Sequence, residues 1–127
     1  MIQQNDFQIS KPLNPVEVEQ TIFEISNEIA KGVSIVTERE KVYMEAKRVF
    51  DRAEARAVIA AKGTVLEKKA QVELAVIAER DAMDAAYVAW RFADRRAKAL
   101  NLQLDAVRSI GTSVRAMYAV AGRDEGA

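Results

Sequence analysis

VELAVIAERDAMDAAYVAWRFADRRAKALNLQLDAV, residues 72–107, decides the fold. Val72, Val76, Glu79, Met83, Ala86, Trp90, Ala93, Ala97, Leu100, Leu104 and Val107 follow one another at alternating spacings of four and three. That is the heptad period of a helix packed lengthwise on another helix. The spacing continues through Gly111 to Val114, Tyr118 and Ala121. Glu79, the one charged member up to Val107, sets register, meets a basic partner or marks a frayed stretch of seam. As one helix from Thr64 to Ile110 the segment spans roughly 70 Å, more than a small globular domain is wide, so it needs neighbours.

The elements upstream supply them. Thr64, with Glu67 three residues on, is a capping-box start that follows the natural break at Gly63. Thr37 with Glu40 gives the same signal and predicts a helix whose face is Val42, Ala46, Val49, Phe50, Ala53, Ala57 and Ala60. Asn14, Pro15 and Glu17 open a first helix with a stripe of Val18, Ile22, Ile25 and Ile29, and Gly32 is its expected stop. The spacing therefore predicts an all-α chain: a short N-terminal helix followed by a long antiparallel helical hairpin with coiled-coil-like packing. The helices cover about 14–32, 37–62 and 64–120 of one domain, 14–121, by these start and stop signals. Residues 1–13 are expected as an extended or disordered arm and residues 122–127 as a frayed tail. A second helix of roughly 39 Å covers only part of the long one. The remainder falls to the first helix or to another copy of the chain, so a homo-oligomer is expected, with Met83, Trp90, Leu100, Leu104 and Val107 as seam residues.

Composition narrows the chemistry. Two Pro and five Gly in 127 residues, half of them apolar and many of those Ala, favour helix throughout. There is no Cys and no His, which removes thiol nucleophiles, imidazole bases and the commonest metal ligands. The carboxylates and lysines alternate with opposite charges as on a solvated face, so the expectation is a non-enzymatic protein without metal or other cofactor. No apolar run approaches a membrane span and the start lacks the order of a signal peptide, which predicts a soluble, intracellular chain without a membrane partner.

Net charge is zero, with nineteen basic and nineteen acidic groups, but its distribution is uneven. Residues 1–40 hold three basic and seven acidic groups, and residues 41–127 hold sixteen and twelve. Lys41, Arg48, Arg52 and Arg56 fall on one stripe of the second helix, interrupted by Glu45, and Lys62, Lys68 and Lys69 continue the positive character past Gly63. Like charges four apart cost about 0.2–0.5 kcal/mol per pair in an isolated helix, which points to an anionic partner. The competing reading has the arginine stems covering the seam and their heads pairing with Asp51 or Glu54. Tyr87, Trp90 and Phe92 are candidates for stacking on bases, although Trp90 holds a seam position.

Three stretches together, EVEQTIFEIS, EKVYMEAKRVFDRAEARAVIAAKGTVLEKKAQ and LNLQLDAVRSIGTSVRAMY, resemble the small phage recombination mediators of the UvsY-like family over residues 16–118. The resemblance implies a ring-like homo-oligomer that binds single-stranded DNA and loads a strand-exchange recombinase against a single-strand-binding protein, in the cytoplasm of a bacterial host. It also carries over Lys47, Arg48, Arg52 and Arg56, in the KRVFDRAEAR stretch, as DNA contacts. The alternative is a helical scaffold or chaperone of virion assembly that binds no nucleic acid.

Overall fold

The computed structural model describes residues 14–126, with side chains to Gly122; the expected arm 1–13 lies outside the described residues. The chain is all-α, with three helices: α1 Pro15–Ala60, α2 Val65–Ala75 and α3 Ile77–Gly126. Two compact units divide it, one formed by Val33–Arg95 and the other by residues up to Gly32 together with those from Arg96 onward.

In the second of these units α1 begins at the expected cap. The Glu17 N–H donates to Asn14 Oδ1 at 2.8 Å, and the Asn14 N–H donates to Glu17 Oε2 at 3.3 Å. Val18, Ile25, Leu104 and Val107 form the buried core, with Ile22, Ile29 and Val114 packed against it. Val18 lies against Gly111, and Glu28 accepts from Arg96 at 3.5 Å, so the two helices run antiparallel here.

In the Val33–Arg95 unit the pairing is again antiparallel. Arg39 donates to the Ala89 carbonyl at 3.3 Å, Tyr43 meets Tyr87 and Trp90, and the Arg80 guanidinium lies over the Phe50 ring. The chain reverses at Gly63, whose φ of 112° lies where a side chain is strained. Thr64 then caps α2 by accepting from the Glu67 N–H at 3.1 Å, as its spacing predicts. The Gln71 amide brackets the turn, accepting from the Lys62 N–H at 3.1 Å and donating to the Lys62 carbonyl at 2.7 Å.

The long seam faces inward as expected: no member from Val72 to Val114 is exposed, whereas Tyr118 and Ala121 are. Four expectations are corrected. Neither Gly32 nor Thr37 interrupts α1, and the Thr37 hydroxyl donates back to the Val33 carbonyl at 2.9 Å, as a helix-interior threonine does. The short helix is thus the central α2 and not an N-terminal one. The reason is visible in the spacing, since four and three continue in phase from Val18 through Ile29, Gly32, Val36, Arg39, Tyr43, Ala46, Phe50, Ala53 and Ala57, none of them exposed. Packing along such a seam outweighs about 1 kcal/mol of glycine propensity.

Secondly, the inward face of α1 is that register; Val42, Val49 and Ala60 are exposed. Thirdly, the helix expected over 64–120 is interrupted at Val76, fully buried with φ −114° and ψ 16°. Two consecutive β-branched residues, Val76 and Ile77, occupy the interruption and are weak helix formers. Fourthly, the tail from 122 is helical as far as Gly126.

Because α1 is longer than expected, it covers the α3 seam within the chain. Leu100, Leu104 and Val107 are buried, and Met83 and Trp90 are half-buried, without a second copy. What stays uncovered lies on the outer faces: twenty large apolar side chains are exposed against seven buried hydrophobics among the described residues.

Two glycines give a prediction of opposite sign. A Cβ on Gly32 meets nothing within 4 Å, so Gly32→Ala is expected to stabilise the chain by about 0.4–1 kcal/mol through helix propensity and unfolded-state entropy. A Cβ on Gly111 meets Val18 Cγ1 at 2.7 Å, so Gly111→Ala is expected to destabilise by about 1–3 kcal/mol, as overpacking does. Thermal unfolding of both variants is the measurement. A loss of stability in Gly32→Ala contradicts the continuous α1.

Candidate nucleic-acid and assembly surfaces

The expected basic residues fall into three groups. Lys47 and Arg48 are held on α1 itself: Lys47 Nζ lies 3.0 Å from Asp51 Oδ2, and Arg48 lies 3.0 Å from Glu45 Oε2. The hydrogen bond from Lys47 to Asp51, reinforced by the opposite charge, raises the lysine pKa above its ordinary value. These bridges are half-exposed, and solvent screening leaves them weak. Lys41, Arg52, Arg56 and Lys62 are exposed and form no ion pair among the described residues.

Lys68 and Lys69, on the first turns of α2, share a groove of about 460 Å³ with Arg80. Val58, Val65 and Val72 give the groove an apolar lining, and Glu54 and Glu73 contribute carboxylates. Arg80 was not anticipated from the basic stripe. It follows Glu79 of the seam, bonds Glu73 at 3.3 Å and lies 5.5 Å from the Phe50 ring centroid. The structure therefore brings two of the eight expected basic residues together at this groove, while Lys41, Lys47, Arg48, Arg52, Arg56 and Lys62 do not line it. The Gln71 clamp on Lys62 fixes the turn from which α2, and with it Lys68 and Lys69, departs.

The aromatic residues divide as well. Trp90 stacks on Tyr43 at 5.4 Å and 22°, and Tyr87 meets both rings edge-on, at 5.4 and 6.0 Å. Arg91 lies 5.7 Å from the Trp90 ring and bonds Asp94 at 3.2 Å. Of the three rings considered for base stacking, Trp90 is packed in the seam, whereas Tyr87, at its edge, and Phe92 are both exposed. No protein-family model, no curated protein and no solved structure matches the chain.

Among the described residues no polar or charged residue is buried. No described helix is long and apolar enough to cross a membrane. Across residues 41–72 there are eight basic groups and four acidic ones, an excess of four on a chain whose total is zero.

Proposed function

We propose that the chain is a non-enzymatic, self-assembling helical protein that holds the phosphates of single-stranded DNA at the hairpin end of its Val33–Arg95 unit. The observation that carries this is the positive excess over residues 41–72, with Arg52, Arg56 and Lys62 unpaired and Lys68 and Lys69 beside one groove. Exposed lysines and arginines contact phosphates without reading bases. The uncovered apolar faces support assembly into a homo-oligomer, since large exposed apolar surface marks an interaction site. In an assembly, weak sites on several copies act on one strand together, and effective concentration makes up for the neutral subunit. The resemblance to phage recombination mediators extends the reading: the assembly displaces a single-strand-binding protein and loads a recombinase in the host cytoplasm.

The test is binding of a labelled oligo-dT at several salt concentrations. For single strands log affinity falls against log salt by about 0.7 per phosphate neutralised. Replacing Arg52, Arg56, Lys68 and Lys69 together by Ala is expected to flatten the slope by roughly 3 for each engaged chain, by the same arithmetic. All four side chains are exposed, so helix content should not change. An unchanged affinity and slope in the quadruple variant overturns the DNA site. It would favour the second reading, an assembly protein without nucleic acid, to which the internal pairing of Lys47 and Arg48 already lends weight.

A further inference from the structure

Helix α3 carries a second four-three pattern on its outer face, and the two charges in it stand at equal distances from its central residue. Within the Val33–Arg95 unit it runs Asp81, Ala85, Val88, Phe92 and Arg95, all exposed, with Val88 at 66% and Phe92 at 61%. Asp81 and Arg95 stand seven residues before and seven after Val88. Neither forms an ion pair within the chain among the described residues. Asp84 and Arg91 flank the stripe at nearly equal distances from its centre, and Asp84 is likewise unpaired. In the sequence alone Leu74 and Leu102 also stand at equal distances, fourteen residues, on either side of Val88.

We propose that this face is an interface between two copies of the chain, with α3 of one lying antiparallel on α3 of the other about a two-fold axis at Val88. The proposal deepens the assembly half of the reading above and rests on it; it is independent of DNA. A two-fold contact uses the same patch on both subunits, so the patch must complement itself after reversal. This one does. Reversal about Val88 sets Asp81 against Arg95 of the partner subunit, and leaves Ala85, a small residue, one residue's rise, about 1.5 Å, out of step with Phe92 of the partner subunit. Asp84 comes to face Arg91 of the partner subunit, beside the bond that Arg91 already makes to Asp94.

Charge also selects the direction. Parallel packing in register would oppose Asp81 to Asp81 and Arg95 to Arg95, and like charges facing across an interface cost several kcal/mol. Two opposite charges within an apolar stripe are a device for fixing register, as polar seam residues do in coiled coils.

The chain has no cysteine, so a single one can be placed cleanly. Val88→Cys is expected to give a disulfide-linked dimer under mild oxidation, because a two-fold axis brings the residue to its own copy. The second arm exchanges charges and reads mass by sedimentation. Asp81→Arg and Arg95→Asp should each weaken self-association by about tenfold or more, since like charges then face one another. Mixing the two variants should restore it, because both pairs across a mixed interface then join opposite charges. The double variant should restore it alone. General destabilisation does not produce recovery on mixing. A wild-type chain that stays monomeric at micromolar concentration overturns both the assembly reading and this interface. Self-association that persists in every variant, with no cross-link at Val88→Cys, overturns this interface and leaves the assembly reading standing.

Discussion

Ile25→Ala is expected to lower the unfolding free energy by about 2–5 kcal/mol, the range for deleting a buried aliphatic side chain. Phe23→Ala, two residues away, is expected to change it by less than about 0.5 kcal/mol, as exposed substitutions do. The difference follows from helical register. Ile25 has no exposed surface and belongs to the core with Val18, Leu104 and Val107, whereas Phe23 is 66% exposed on the outer face. A domain of this size holds only about 5–15 kcal/mol in all, so the Ile25 loss is a large share of it. Urea unfolding followed by circular dichroism, at concentrations too low for self-association, measures both. A greater loss from Phe23→Ala than from Ile25→Ala would place α1 in the wrong register against α3.

Trp90→Ala is expected to cost about 3 kcal/mol, the lower end of the range for removing a core aromatic, because Trp90 is half-buried. Part of that is the stacked contact with Tyr43 and the edge contact with Tyr87, each worth about 0.5–1.5 kcal/mol beyond burial. Trp90 is the single tryptophan of the chain, so its emission reports on this cluster alone. Tyr43→Ala should move that emission to longer wavelength as water reaches the indole. Trp90→Phe keeps a ring between Tyr43 and Tyr87 and should melt between wild type and Trp90→Ala. A Trp90→Ala variant with the wild-type midpoint would mean that the three rings contribute nothing to holding the unit closed.

The α3 seam was legible because its apolar residues keep a strict period through the least ambiguous part of the sequence. The caps at Asn14 and Thr64 were legible because the glutamate three residues on coincides with a neighbouring Pro15 or Gly63, whereas Thr37 with Glu40 has no such neighbour and lies inside α1. The α1 seam was misread for a physical reason. Gly32, Arg39 and Tyr43 sit on it and look polar or helix-breaking, while the exposed Val42 and Val49 look like core. Spacing outranks side-chain type here: the four-three count carried forward from Ile29 passes through Val36, Arg39 and Tyr43 before it reaches the expected Ala46, Phe50, Ala53 and Ala57. The interruption at Val76 leaves only a pair of β-branched residues as its trace. For the basic residues, the pairing of Lys47 with Asp51 and Arg48 with Glu45 was readable from helical spacing. The groove was not, because Lys68, Lys69 and Arg80 meet Val58 only after the chain has turned at Gly63.

The Gln71 bracket around Lys62 also sets an order of events in folding. It joins residues only nine apart, and the Arg39 bond to Ala89 joins residues fifty apart. In the other unit the Arg96 bond to Glu28 closes sixty-eight. Loop-closure entropy grows as three-halves of RT times the logarithm of length, so the last costs about 1.8 kcal/mol more than the first. Contacts near the turn therefore repay their ordering early. Final protection follows burial and not the order of closure: α2, beside the bend, buries no side chain, so amide exchange should be faster there than around Ile25, Leu104 and Val107.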